Sequence, residues 1–285
     1  MSNVIQRFMQ RRPANPGDVP TEYSTTKPGL LLVLIDQSTS MNEKWGGTGM
    51  SRKDGAAEHV NRMINRILND SQNGNVYKDR IWMAICGYSL FDEVGNAFRV
   101  LKEGWPSAFS NQTGWVVPVA NGRTPMTLAF QGARQYLEAF FDDSERWDQF
   151  KQSTPPIILN VTDGEANEFD DDDWQSLSDE VERIWRLKTP QSFSPLVFHV
   201  HLSGTGGDHQ SRRMALPTEP AGLDRFGQNL FRLASQVPDS WVRSSSMQER
   251  PISAGAVGLI TNASPADLMD ILTVVSRSRS ATPQP

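Results

Sequence analysis

The chain has 285 residues, with 28 Lys and Arg against 33 Asp and Glu, a formal net charge of −5. That balance, with no basic block along the chain, excludes a nucleic-acid surface as the main feature. A lone cysteine, Cys86, excludes an intrachain disulfide, and no apolar run reaches the length of a membrane span.

Residues 1–28 are rich in Pro, Asn, Thr and Arg and read as an extended leader. Val4, Ile5, Phe8 and Met9 have helical spacing, so either a short docking helix or a poorly ordered terminus is expected. The first residues lack the apolar core of a signal peptide, which makes the cytoplasm the expected compartment. Leu30 to Ile35 is an unbroken apolar run, the pattern of a strand buried on both faces of a parallel sheet. It stops at Asp36, and Ser38 and Ser40 follow at alternate positions. Three oxygen ligands are then expected at the carboxyl edge of the sheet, where open α/β sheets bind their ligands. Such a set suits a hard cation such as Mg²⁺. On its own the stretch equally suits a helix cap.

Glu43 to Gly49 is a glycine-rich loop without the G-K-[ST] of a P-loop. Ser51 or Asp54 is placed to cap a helix with Ala57, Val60, Ile64, Ile67 and Leu68 on one face, and His59 is expected on its exposed side. Asp79 to Leu90, containing a buried Cys86, and Ala97 to Leu101 read as strands. Paired as a hairpin across Phe91 to Asn96, they give an antiparallel edge. Lys102 to Arg123 reads as a long loop in which Trp105 and Trp115 either pack the loop down or anchor a partner. Thr124 stands before Pro125, which is expected in the first turn of a helix through Leu128, Ala129, Ala133, Tyr136, Leu137 and Phe140.

Pro155 to Asp163 is another buried strand, ending on Asp163, Gly164 and Glu165. Glu168 and Asp170 to Asp173 read better as acids at the start of a helix from Trp174 to Leu187 than as a second metal site, because consecutive acids cannot all face one ion. Leu196 to Leu202 is a strand whose His199 and His201 share a face; with His209 they make zinc conceivable, although strand histidines are more often packed or hydrogen-bonded. Ser203 to Gly207 reads as a turn, Met214 to Pro217 as a short edge strand, and Gly222 to Ser235 as holding a helix. Gly255 to Thr261 reads as a further strand, Pro265 to Val275 as a last helix, and the final residues as a disordered tail.

Three of these stretches, D-x-S-x-S at Asp36, Thr124 before a helix, and Asp163 after a buried strand, occur in order. Together they resemble the metal-ion-dependent adhesion site of von Willebrand factor type A domains. The resemblance implies a doubly wound, mostly parallel α/β sheet with one antiparallel edge strand and helices on both faces. It also implies Mg²⁺ or Mn²⁺ held by Asp36, Ser38, Ser40, Thr124 and Asp163. The departures, Gln37 and Thr39 within the motif and Arg123 where glycine is common, remove no ligand. Arg123, Trp105, Trp115 and Glu165 are candidates for a partner-binding rim. The stretches LFRLASQVPDSW and GAVGLITNAS resemble, more loosely, bacterial intracellular type A proteins of tellurium-resistance-type clusters, whose relatives are encoded beside kinases and protein phosphatases.

The expected organisation is a leader over 1–28, a type A domain over 29–236, a C-terminal extension over 237–276 packed on or near it, and a tail over 277–285. The expected function is metal-dependent binding of a protein that supplies an Asp or Glu to the ion, in a signalling, stress or defence complex, with no enzymatic activity. Two rivals stand: a metal-dependent phosphohydrolase with Asp36 as nucleophile, and a structural subunit with an empty site. The phosphohydrolase is disfavoured because Ser38 stands where haloacid-dehalogenase-type phosphatases carry a second aspartate.

Overall fold

The computed structural model describes residues 12, 19–20, 22–46, 48–90, 97–110, 113–164, 173–202, 214–243 and 252–261. Several sequence expectations lie outside them: the leader helix, the turn across Phe91 to Asn96, the acids Glu168 and Asp170 to Asp172, the turn from Ser203, His209, the last helix and the tail.

β1 (Gly29–Asp36) is buried along its whole length. Its side chains alternate between two cores, as the period of a strand requires. Leu31, Val33 and Ile35 face one core, and Leu30, Leu32 and Leu34 the other. After a 3₁₀ turn (Thr39–Asn42), α1 (Arg52–Ser71) covers the first core with Val60, Met63, Ile64 and Ile67. Ser51 is its N-cap, accepting from the Asp54 amide at 3.2 Å. His59, expected outside, is buried: its Nδ1 donates to the Gly55 carbonyl at 2.7 Å and its ring meets Trp45 edge-on. The aromatic neighbour comes from the glycine-rich loop, which periodicity within the helix does not reveal.

A small hairpin, β2 (Gln72–Asn73) and β3 (Val76–Tyr77), leads to β4 (Ile81–Tyr88), which pairs parallel with β1. β5 (Phe98–Gly104) returns antiparallel along β4. The presumed loop from Lys102 is therefore partly strand, and it then forms a short helix, α2 (Pro106–Phe109). α3 (Met126–Asp142) starts one residue later than expected, with Pro125 at the N-cap, and covers the second core with Met126, Ala129, Phe130 and Ala133. α4 (Ser144–Gln149) follows. β6 (Ile157–Thr162) pairs parallel with β1 on the side opposite β4. α5 (Asp173–Arg186), β7 (Leu196–His201), β8 (Met214–Ala215), α6 (Arg225–Leu233), α7 (Asp239–Arg243) and β9 (Leu259–Thr261) complete the described elements.

The sheet order is β5-β4-β1-β6-β7-β9-β8. The chain moves outward from β1 on one side, then crosses back and fills the other, which is the doubly wound arrangement. β8 adds a second antiparallel edge beside β9. The strand of the C-terminal extension lies inside the sheet, between β7 and β8. The end of the leader is fastened too: Trp241 Nε1 donates to the Pro20 carbonyl at 2.9 Å, and Ser240 Oγ to that of Val19 at 2.7 Å. No helix among the described residues is long and apolar enough to cross a membrane.

β9 sits against β7 because Gly258 has no side chain. A Cβ there would lie 2.0 Å from Phe198 Cδ1. Gly258→Ala should therefore destabilise the protein by about 1–3 kcal/mol through overpacking, read as a lower midpoint in denaturant unfolding. An unchanged midpoint would show that β9 is not integral to the sheet.

Candidate functional site

Parallel pairing of β1 and β6 sets Ile35 opposite Val161, so both strands end side by side where the winding of the sheet reverses. This is the crevice in which open α/β sheets place ligands. Asp36 ends β1 and Asp163 follows β6, and both are buried. The Asp36 carboxylate is held on both oxygens. Ser38 N–H donates to Oδ1 at 2.9 Å, and Thr162 Oγ1 donates to Oδ2 at 2.7 Å. Thr162 Oγ1 in turn accepts from Gly164 N–H at 2.9 Å. Gly164 has φ of 81°, which lets the chain turn sharply after Asp163. Ser38 Oγ and Ser40 Oγ lie 3.0 Å apart across the start of the 3₁₀ turn.

The segment carrying Thr124 is tied to the same loop. Thr39 N–H donates to the Gly122 carbonyl at 2.9 Å and Asn121 N–H to that of Gln37 at 2.7 Å. Asn42 Nδ2 adds a bond to the Ala120 carbonyl at 3.1 Å, and Arg123 pairs its backbone with Leu90. Thr124 is fully buried at the head of α3.

Two residues absent from the sequence reading complete the site. Thr162 is one. The other is Arg52, buried at the first position of α1, whose guanidinium donates to Asp163 Oδ2 at 2.9 Å and to the Ser40 carbonyl at 3.2 Å. Its other nitrogen lies 3.3 Å from Glu43. Nothing local signals Arg52, since its acid lies 111 positions away. Thr162 was visible as a hydroxyl directly before Asp163.

Burial, and then the charge of Asp163, push the Asp36 carboxyl up to about 7, against the opposing hydrogen bonds from Ser38 and Thr162. Beneath the site, Tyr88 Oη donates to Asn160 Oδ1 at 2.9 Å, and Asn160 Nδ2 donates to His199 Nδ1 at 3.3 Å. Burial lowers the His199 imidazole to about 3, so it is neutral. His201, also lowered by burial, donates from Nε2 to the Asp163 carbonyl at 2.8 Å. Each histidine thus commits one ring nitrogen to a hydrogen bond, Nδ1 of His199 and Nε2 of His201. Among the described residues no three His, Cys, Asp or Glu gather as metal ligands.

That leaves the hydroxyl-rich set to be weighed. Asp36, Ser38, Ser40, Thr124 and Asp163 present oxygen alone, from three loops at one sheet edge, and the two carboxylates repel each other there. This chemistry fits a hard divalent ion such as Mg²⁺ or Mn²⁺.

The rim differs from expectation. Arg123 is exposed beside Thr124. Trp105 is not at the rim. Because β5 runs antiparallel, Gly104 pairs with Met83 near the start of β4, so Trp105 emerges at the far end of the sheet. There it stacks on Phe150 and meets Trp82 edge-on, with centroids at 5.5 and 5.4 Å. Trp115 holds its loop down: its Nε1 donates to the Phe109 carbonyl at 3.2 Å, and its ring packs on Phe109. The exposed apolar residues of this loop are Val117 and Val119. Glu165 lies outside the described residues.

No protein-family model matches the chain, and no curated protein matches it. Among solved structures it is similar to the pilus adhesin SpaC from Lactobacillus rhamnosus GG, with 14% identity over 93% of this chain and a TM-score of 0.53. A von Willebrand factor type A protein from Catenulispora acidiphila is also similar, with 13% identity over 88% of this chain and a TM-score of 0.41. So is the manganese-loaded TRAP protein of Plasmodium vivax, with 17% identity over 66% of this chain and a TM-score of 0.36. The chain spans 34%, 42% and 62% of their respective lengths. At these identities the likeness is one of fold alone, that of the α/β sheet described above.

The burial of Asp36, and then the charge of Asp163 beside it, have a measurable signature. A carboxyl whose folded pKa is raised favours the fold while protonated. Its contribution is present below the ordinary value of 3.8 and is lost as pH rises through about 7. With EDTA present, thermal stability should therefore decline over that window, and Asp36→Asn should flatten the decline. A wild-type profile matched by Asp36→Asn would show that Asp36 is ionised at no cost.

Proposed function

We propose that the chain is a Mg²⁺- or Mn²⁺-dependent protein-binding module, a metal-ion-dependent adhesion site held by Asp36, Ser38, Ser40, Thr124 and Asp163. The supporting observation is that Ser38 gives its amide to Asp36 while its hydroxyl lies 3.0 Å from that of Ser40, at the sheet edge that also carries Asp163. A bound ion would offer a partner's Asp or Glu a Lewis-acidic position. The chain's own residues shape the approach. Ser38 N–H and Thr162 orient the Asp36 carboxylate, and the tied loop through Gly122 sets the position of Thr124. Arg123, exposed on the rim, is available to a second partner acid as a bidentate donor. Val117 and Val119 add apolar contact.

Catalysis is not part of this reading. Asp36 has a serine, not an acid, two residues on, and both its oxygens already accept hydrogen bonds. The looser likeness of the C-terminal stretches supports a partner, a kinase or protein phosphatase among the candidates, in a bacterial intracellular signalling, stress or defence complex.

Mg²⁺ or Mn²⁺ should raise the melting temperature, since a ligand that binds only the folded state stabilises it by about 2.7 kcal/mol at a hundredfold excess over Kd. The double variant Asp36→Ala, Ser38→Ala should lose the shift; retention of the shift would place the ion elsewhere.

Capture of the partner from the host should require divalent metal. It should be lost with Thr124→Ala and weakened with Arg123→Ala, while Arg123→Ala still takes up metal. Equal capture in magnesium and in EDTA would remove the metal site from the interface. Phosphoester turnover should stay at background; activity that scales with protein and disappears in Asp36→Asn would replace the binding module with an enzyme.

A further inference from the structure

We propose that Arg52 sets the strength and selectivity of this site, by taking up part of the charge of Asp163 so that a bound divalent ion stays under-neutralised and demands an external carboxylate. The inference rests on the metal-binding reading and adds to it the residue that decides how tightly the ion is held.

The geometry makes Arg52 unusual. It is 4% exposed, yet it carries a full charge at the first position of α1, where the positive end of the helix disfavours a cation. Such a placement costs stability unless the charge is matched close by. The match is Asp163 Oδ2 at 2.9 Å, with the Ser40 carbonyl at 3.2 Å as a second acceptor. Both partners belong to residues of the candidate metal set, so the guanidinium lies against that set and not on a separate surface pair. Glu43 meets the other nitrogen from the solvent side, with its own side chain 64% exposed, where water screens it.

The balance of charge follows. The set contains two carboxylates, Asp36 and Asp163, and three neutral hydroxyls. One of the carboxylates already faces a buried cation. A divalent ion added there is opposed by Arg52 through a medium of low dielectric, which weakens its binding. The same unsatisfied positive charge strengthens the pull on an incoming carboxylate. Arg52 thus exchanges affinity for the ion against affinity for the partner. A lysine at this position would retain the charge without the second guanidinium nitrogen that meets Glu43.

The test is a Mn²⁺ titration of the full chain, followed by the electron paramagnetic resonance signal of free Mn²⁺. Wild type, Arg52→Gln, Arg52→Met and Arg52→Lys are compared, with circular dichroism to verify folding. The Gln variant removes the charge and keeps hydrogen-bonding capacity, and the Met variant keeps the packed stem. Both should bind Mn²⁺ about tenfold more tightly than wild type, as expected when a nearby buried like charge is removed. Arg52→Lys should stay near wild type. Equal affinity in wild type and both neutral variants, or weaker binding in the neutral variants, would overturn the role assigned to Arg52 while leaving the metal site standing. Failure of either neutral variant to fold would leave the other to decide. Failure of both, with a folded Arg52→Lys, would make the arginine a structural ion pair and overturn the proposal. No Mn²⁺ bound by any form, neutral variants included, would instead remove the metal-binding reading and this inference with it.

Discussion

Two aspartates are forced together at the point where the sheet reverses its winding. β1 and β6 are neighbours in register, and each ends at this edge, so Asp36 and Asp163 are buried close to one another. Isolated carboxylates in that position would be costly. The surrounding chain is arranged to answer the cost. The turn after β1 supplies an amide to Asp36, Thr162 supplies a hydroxyl, and α1 begins with the arginine that meets Asp163. What those groups leave uncompensated is the burial, and then the charge of Asp163, that together keep Asp36 protonated further up the pH scale than usual.

The large pattern was legible in the chain because it is local. An unbroken apolar run such as Leu30 to Ile35 has few alternatives to a buried parallel strand, and the helix from Arg52 shows its inner face in the spacing of Val60, Ile64 and Ile67. The polar residue at the end of each buried run marks the edge where side chains leave the core. That is why Asp36 and Asp163 are expected at the sheet edge; their grouping with Ser38, Ser40 and Thr124 rests on the resemblance of the motif.

What escaped depends on pairings that sequence spacing does not carry. β5 continues through Lys102, Glu103 and Gly104, whose polar character does not read as a strand; the edge position, open to water on one side, permits it. Three extra residues in an antiparallel strand move Trp105 to the opposite end of the sheet, and its ring is then used for burial against Phe150. His59 looked exposed because the indole that buries it belongs to the loop before the helix. The extension after residue 236 is expected to carry a strand over Gly255 to Thr261; its place between β7 and β8 depends on pairings distant in sequence and on the room that Gly258 leaves for Phe198.

The network below the site bears on how rigidly the edge is held. Thr162 links Asp36 to the turn at Gly164, and His201 grips the Asp163 backbone from β7. One layer deeper, Tyr88, Asn160 and a neutral His199 join β4, β6 and β7 by side chains across the second core. Buried polar chains of this kind add specificity when their members are mutually bonded. Here each strand that approaches the candidate site is bonded sideways to its neighbour just before it ends. The carboxylates therefore sit at the end of one fixed strand and directly after another, while the hydroxyls of Ser38, Ser40 and Thr124 sit on segments tied by backbone bonds. A site built in that way resists rearrangement at its base and concentrates any adjustment in the loops that face a partner.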